Sequence, residues 1–418
     1  MTFLPHLRSA ARQRLAALAG AVLLGLAAVA FAHAAEAVQH VFGDLAARWP
    51  YAPLILTPAA FALVTWATLR IAPAASGSGI PQVMVAARAP EAEATGPLVS
   101  LRTAAVKFIG TLAMLGCGAA VGREGPTVQI SAAIMAAVHR WMRVPVTAGI
   151  MIAGGAAGVA AAFNTPVAGV AFAIEELASA FEQKVAGLVM LAVVAAGLVS
   201  LGIDGDYVYF GTMTERMPPI ATAIGASLLA GLCGGAAGGL FARLLVTVLR
   251  PASGSIIGRM RARPVLFALG GGLIVAALGV GTGGLTWGTG YDATRALLTG
   301  GSGPDWLFPA RFLATLISGA CGAPGGIFAP SLAVGAGLGE ILSALFPDSA
   351  GTLVLLGMIG YFAGVVRAPL TAVIIVMEMT ANRSMILPLF ATALVADQVS
   401  ALIMPDKLYH ALSRPAAP

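Results

Sequence analysis

Charge is what this chain has least of. Of its 418 residues only 10% are Asp, Glu, Lys or Arg, while 58% are hydrophobic. A soluble domain carries roughly 25% charged residues, so there is too little polar surface here to cover a water-facing globule. Cysteine is scarce too. Cys117, Cys233 and Cys321 lie in apolar stretches without C-x-x-C spacing, which points to neither a disulfide frame nor a metal site. Alternation of apolar and polar residues is also missing, and with it the dyad signature of a membrane β-barrel. The formal charge of +6 does not indicate a nucleic-acid partner, because Arg and Lys sit mostly in short loops and at the ends. No cofactor is expected.

What is present is helix-length apolar sequence, again and again. A helix needs about 20 apolar residues to cross a bilayer. Such runs stand near 15–34, 52–72, 103–121, 147–163, 185–203, 219–248, 264–283, 308–321, 351–366 and 386–404, with shorter apolar pieces between. The expectation is an all-α, multi-pass protein of the lipid bilayer, of the kind found in a bacterial inner membrane. Gly (52 residues) and Ala recur as in GGAAGV and GLCGGAAGGL, where small side chains let membrane helices approach closely. Arg8, Arg12 and Arg14 precede the first run, which by the positive-inside tendency places the N-terminus in the cytoplasm. That first run, ending in A-H-A, also has the outline of a signal peptide. It exceeds the usual 7–15-residue apolar region, and a retained first helix is expected.

Residues 122–126 break the pattern. They read GREGP, placing Arg123 and Glu124 side by side between TLAMLGCGAAV and TVQISAAIMAAV. A charge at the centre of a bilayer costs about 2.5–3.5 kcal/mol on insertion scales, so one that persists is functional by default. The stretch CGAAVGREGP (117–126) also aligns with CGAPGGIFAP (321–330) at a constant offset of 204, matching Cys, Gly, Ala, Gly and Pro. A second match follows each: AGVAAAFNTPVAGVAFAIEE (157–176) with AGVVRAPLTAVIIVMEM (363–379). In both, Pro is followed nine residues later by Glu, from Pro166 to Glu175 and from Pro369 to Glu378. Two matches in the same order argue for two homologous halves, roughly 15–203 and 219–412.

Duplicated halves with broken helices meeting near the midplane are a transporter plan. In each G-x-x-x-P element, Gly opens the backbone and Pro suits the first helical position, where its missing N–H costs nothing. The free N–H groups and positive end of a helix start attract an anion, and two such elements can cradle one. Irregular backbone is tolerated in a membrane only where it lines a cavity. Glu124 is then a candidate gate: ionised it occupies the anion site, and protonated it swings away. The plain alternative is an Arg123–Glu124 ion pair at a helix end. Glu175 and Glu378 match each other and are expected to do one structural job, accepting hydrogen bonds where helices pack. Glu176 faces only Met379 in the repeat and is a candidate proton entry point, or else a solvated carboxylate near Glu182 and Lys184. Spacing assigns no role to Lys107, Glu340 or Asp397.

Taken together, GREGP, GGIFAP and GSGIP (77–81) resemble the signature set of the CLC family of chloride channels and proton-coupled chloride antiporters. The resemblance runs through GLAAVAF (25–31), VKFIGTL (106–112), AAAFNTPVAGVAF (160–172), SGACGAPGGIFAP (318–330), RAPLTAVIIVMEMT (367–380) and DKLYHAL (406–412). It implies two inverted repeats of tilted, unequal helices, assembled as a homodimer with one pore per subunit. It implies that Ser78 and the Tyr409 hydroxyl hold the central chloride with backbone N–H groups around Gly326, Ile327 and Phe328. Glu124 would be the external gate and proton site, with Gly122, Arg123 and Gly125 at the outer anion site. Neutral donors suit conduction, which needs moderate, multi-site binding.

Ser78 stands where nitrate-preferring relatives have Pro and the fluoride-exporting branch has Met, so the resemblance favours chloride. Glu176 matches the inner proton glutamate of the antiporter branch, which implies chloride/proton exchange rather than an uncoupled pore. The sequence stops soon after Tyr409, so the cytoplasmic nucleotide-binding tail of many relatives is not expected. Gln82 stands where relatives often have an acid, and ARAPEAEATGP (87–97) resembles none of the motifs and is expected as a surface loop. Two other classes fit poorly. A cation transporter would line its path with acids. An enzyme would need a base within reach of a nucleophile, and nothing in the spacing brings His410 to the G-x-S triplet Gly225-Ala226-Ser227.

Overall fold

A computed structural model gives the fold and describes residues 3–90, 92–177, 183–213 and 217–414. Its first half holds α1 (Phe3–Arg48), α2 (Pro53–Ile71), α3 (Ile80–Arg88), α4 (Leu101–Leu115), α5 (Glu124–Trp141), α6 (Ala148–Phe163), α7 (Pro166–Phe172) and α8 (Gln183–Asp204). The second holds α9 (Ile220–Leu249), α10 (Ile256–Arg261), α11 (Pro264–Gly281), α12 (Tyr291–Leu298), α13 (Leu307–Ala320) and α14 (Phe328–Ser343). It ends with α15 (Ala350–Val366), α16 (Pro369–Thr380), α17 (Ile386–Ile403) and α18 (Leu408–Ser413). Among the described residues the only β pairing is two isolated bridges. This is the all-α membrane fold that the apolar runs imply, with the unequal helices that the motif resemblance implies.

Most runs become helices with ends within a few residues of expectation, but α1 does not. It runs uninterrupted from Phe3 to Arg48, through the A-H-A triplet and well beyond the apolar run at 15–34. Hydropathy reports only the greasy middle of a helix. Helix α1 packs against α5, α6 and α8, and near its start the Arg12 side chain donates to the Met142 carbonyl. The polar stretch 87–97 is shorter as a loop than expected, because α3 extends to Arg88 and a 3-10 turn spans Glu93–Val99.

The two halves repeat each other in backbone detail. Helices α6 and α15 are apolar all round and buried along nearly their whole length, α6 against α5 and α8 and α15 against α14 and α9. Each ends in a left-handed residue, Asn164 (φ 54°, ψ 41°) and Arg367 (φ 61°, ψ 44°). A residue of matching backbone follows, Thr165 (φ −127°, ψ 78°) and Ala368 (φ −126°, ψ 75°), and then Pro166 or Pro369 opens α7 or α16. The matched acids then cap each other's helices. Glu175 accepts from the N–H groups of Leu370 (3.2 Å) and Thr371 (2.7 Å) at the start of α16. Glu378 accepts from Val167 (3.3 Å) and Ala168 (2.8 Å) at the start of α7. A carboxylate at a helix N-terminus satisfies orphan donors and meets the positive dipole end. The expectation of one shared structural job for this pair holds.

Close packing around α15 rests on glycine. A Cβ on Gly357 of α15 would come within 2.5 Å of the Gly339 Cα and nitrogen in α14, which are backbone atoms that cannot give way. Overpacking a tight core typically costs about 1–3 kcal/mol or more. Gly357→Val is therefore expected to lower the apparent unfolding temperature in detergent and the yield of monodisperse protein. Gly270→Ala in α11, where nothing lies within 4 Å of the added carbon, serves as the neutral control.

Candidate functional site

The three signature loops meet at one place. Gly122 and Gly326, at identical positions in the two halves, form an antiparallel bridge in which each N–H donates to the other's carbonyl at 2.7 Å. Gly77 of the GSGIP loop pairs alongside: its N–H donates to the Ala323 carbonyl at 3.2 Å and its carbonyl accepts from Gly325 at 3.1 Å. A Cβ on Gly125 would lie 3.0 Å from the Ser78 carbonyl oxygen and 3.4 Å from the Gly326 Cα, so the loops are in van der Waals contact. The amides of Gly122 and Gly326 are each used in the bridge, which holds the two loops together.

What remains free is the start of each helix. Helix α5 begins at Glu124 and α14 at Phe328, and the first N–H groups of any helix lack a partner within it. Glu124 is completely buried. One carboxylate oxygen, Oε2, lies 3.5 Å from the Ala329 N–H in the first turn of α14, and the other, Oε1, is buried without a hydrogen-bond partner. An acid from one half thus sits on the helix start of the other. The Arg123–Glu124 ion pair is not formed. The Arg123 guanidinium turns instead to α1, donating to the Ala32 carbonyl at 2.7 Å and to Glu36 at 3.0 Å.

Two cavities approach this point. One, of about 750 Å³, is bordered by Arg123, Glu36, Tyr207, Tyr209, Tyr291 and Arg311. The other, of about 590 Å³, is bordered by Ser78, Gln82, Ile327 and Tyr409. Tyr409 is 1% exposed, its hydroxyl has no partner, and its ring lies 6.0 Å from that of Phe328. Glu176 is 2% exposed, in a π-helical turn over Ala173–Leu177, with one oxygen 3.5 Å from the Lys407 ammonium and the other buried and unpartnered. Glu182 lies outside the described residues, as does the Lys184 side chain.

Comparison with known proteins decides the family. A family model described as voltage gated chloride channel matches residues 60–401. The protein belongs to the CLC family. The H(+)/Cl(−) exchange transporter ClcA of Vibrio vulnificus strain YJ016 is 36% identical over 414 residues, covering 91% of this chain and 85% of that protein. ClcA of Cronobacter sakazakii is 35% identical over 427 residues, covering 95% and 88%. The crystal structure of a slow cyanobacterial Cl−/H+ antiporter superposes with TM-score 0.83 at 28% identity, over 96% of this chain and 97% of that one. A CLC-type fluoride/proton antiporter, 23% identical, shares the fold with TM-score 0.81 over 98% and 99% of the two chains.

Residues in this CLC protein to which spacing gave no role have plain places. Lys107, fully buried, donates to the Gly77 carbonyl at 2.7 Å, and Gln82 donates to the Ser76 carbonyl at 2.8 Å. Both side chains therefore grip the loop that carries Ser78. Glu340 accepts from the Gly303 N–H at 3.2 Å, and Asp397 pairs with Arg367 at 3.1 Å. The Ser227 hydroxyl donates to the Pro388 carbonyl at 3.3 Å where α9 packs on α17. Lys407 is the site residue that sequence reasoning missed. No spacing signal connects it to Glu176, which is 231 positions away. For the bridge the expectation is specific. A Cβ on Gly326 would meet the Gly125 nitrogen at 3.0 Å and the Gly122 carbonyl oxygen at 3.1 Å. Gly326→Ala should reduce transport by reconstituted protein at least about tenfold, equivalent to ~1.4 kcal/mol, with the helical circular dichroism signal retained.

Proposed function

We propose that this protein exchanges chloride for protons across a bacterial inner membrane, with its N-terminus in the cytoplasm. Its single transmembrane unit consists of the halves at roughly 15–203 and 219–412. The observation that carries the reading is the Glu124 carboxylate lodged against the first turn of α14, with its neighbour Arg123 bordering one cavity and Ser78, beside Gly125, bordering the other. An anionic side chain held at a helix N-terminus marks a place where a free anion is also favoured. Relatives named as H(+)/Cl(−) exchange transporters support the identity of the two ions.

The mechanism follows from competition for that place. Ionised Glu124 fills it and blocks the path. A proton arriving from the Arg123 side neutralises the carboxylate, its attraction to the helix start falls, and the neutral side chain leaves. Chloride then enters from the Tyr409 side, held by the Ser78 and Tyr409 hydroxyls and by N–H groups of Ile327 and Phe328. Gly125 allows the loops to approach, and Arg123 contributes positive potential at the mouth. The proton leaves Glu124 toward Glu176, which passes it to the other face, and the carboxylate returns as chloride departs. Two subunits assemble as a homodimer, each with its own path.

Two substitutions test this. Glu124→Gln, a neutral side chain of the same shape, should leave chloride flux in proteoliposomes insensitive to pH. Flux that keeps its full pH response would remove the gate. Glu176→Val should retain chloride flux while a chloride gradient no longer drives protons uphill, measured by external pH at clamped voltage. Uphill proton movement persisting in that variant would leave Glu176 with a structural part only.

A further inference from the structure

Glu176 is not reached from solvent directly. It is buried to within 2%, and the charged group touching it is Lys407, whose side chain is one-third exposed. Lys407 stands at the N-cap of α18, two residues before Tyr409. One short segment therefore carries both a candidate chloride ligand and the cation on the candidate proton site.

The surroundings leave Lys407 free for that contact. Its neighbour Asp406 is taken by Arg414 through two bonds of 2.8 Å. Arg367 donates to Asp397 and to the Met404 and Pro405 carbonyls (3.1, 3.2 and 2.7 Å), which pins the backbone just before Lys407. Of the other charges around Glu176, Arg367, paired with Asp397, also favours the ionised carboxylate. Glu175 is occupied by the N–H groups of Leu370 and Thr371. Helices α6 and α7, packed against the Glu176 turn, bring no titratable side chain, and α3 brings Arg88 alone. From α18 come Tyr409 and His410, the latter near Lys407, Arg88, Arg414 and Asp406.

The structure assigns Lys407 as a positioning residue for proton transfer: its ammonium holds the Glu176 carboxylate at the solvent-side end of the proton route. This rests on the proposed role of Glu176. An opposite charge within about 4–6 Å favours the ionised carboxyl and moves its titration by about 1–3 pH units when the pair is shielded from water. Partial exposure of Lys407 places the effect at the low end. Burial raises the pH at which Glu176 takes up and releases protons, and Lys407 draws it back down without itself carrying them.

The test is the rate of chloride-driven proton movement in proteoliposomes as a function of pH, set equal on both faces. Wild type is compared with Lys407→Met, Lys407→Arg and Glu176→Gln. Glu124 is unaltered throughout, so a shift between variants reports the Tyr409 side. Without the cation the carboxyl keeps its proton to higher pH, so the profile of Lys407→Met should move up by about one pH unit. Lys407→Arg should restore the wild-type profile. A Lys407→Met profile that stays in place, or a shift that Lys407→Arg fails to reverse, would overturn the assignment. If Lys407→Met does not reach the membrane, Lys407→Gln, polar but uncharged, answers the same question. Persisting proton movement in Glu176→Gln would instead remove the role of Glu176 itself.

Discussion

Everything at the candidate site depends on four hydrogen bonds among loops. Gly122 and Gly326 exchange a reciprocal pair, and Gly77 makes two more to the chain at Ala323 and Gly325. These bonds tie the GREGP, GGIFAP and GSGIP segments at a single crossing, deep in a chain with few polar groups to spare. Backbone exposed in a membrane interior must find partners. Here the loops satisfy each other, and the starts of α5 and α14 stand beside them. Because Gly122 and Gly326 are equivalent positions of the two halves, the reciprocal bridge lies where an axis relating the halves would pass. The crossed caps of Glu175 and Glu378 obey the same symmetry some distance away.

Symmetry then explains why the functional groups are the exceptions to it. Matched residues hold the scaffold: the glycines of the bridge, the prolines opening α7 and α16, and the capping acids. The acids proposed to carry the chemistry are unmatched. Glu124 faces Phe328 in the alignment of the halves, and Glu176 faces Met379. Each is buried with one carboxylate oxygen unpartnered. A buried polar atom without a partner is costly, and at these two acids it is the atom that a proton would satisfy.

Much of this was legible from residue order. The apolar runs, the repeat at offset 204, the paired acids and the departure of Glu176 from the repeat all depend on local composition or spacing, which a sequence displays directly. The lengths of α1 and α3 were less legible, because hydropathy stops where polar residues begin while a packed helix continues. The Arg123–Glu124 pair suggested by adjacency did not form. At the start of α5, neighbouring side chains diverge, and Glu36 and the Ala32 carbonyl of α1 offer the guanidinium better partners.

The sequence alone determined that this is an all-helical membrane protein with two matching stretches and charged residues singled out near its loops. It did so because burial and repetition write themselves into composition and order. Only the tertiary structure decided which atoms were left for chemistry. It showed that the Gly122 and Gly326 amides hold each other, that the Glu124 carboxylate rests on the start of α14, and that Lys407 reaches Glu176. Those contacts join residues some 200 positions apart, and their geometry arises from packing whole helices, which no local pattern records.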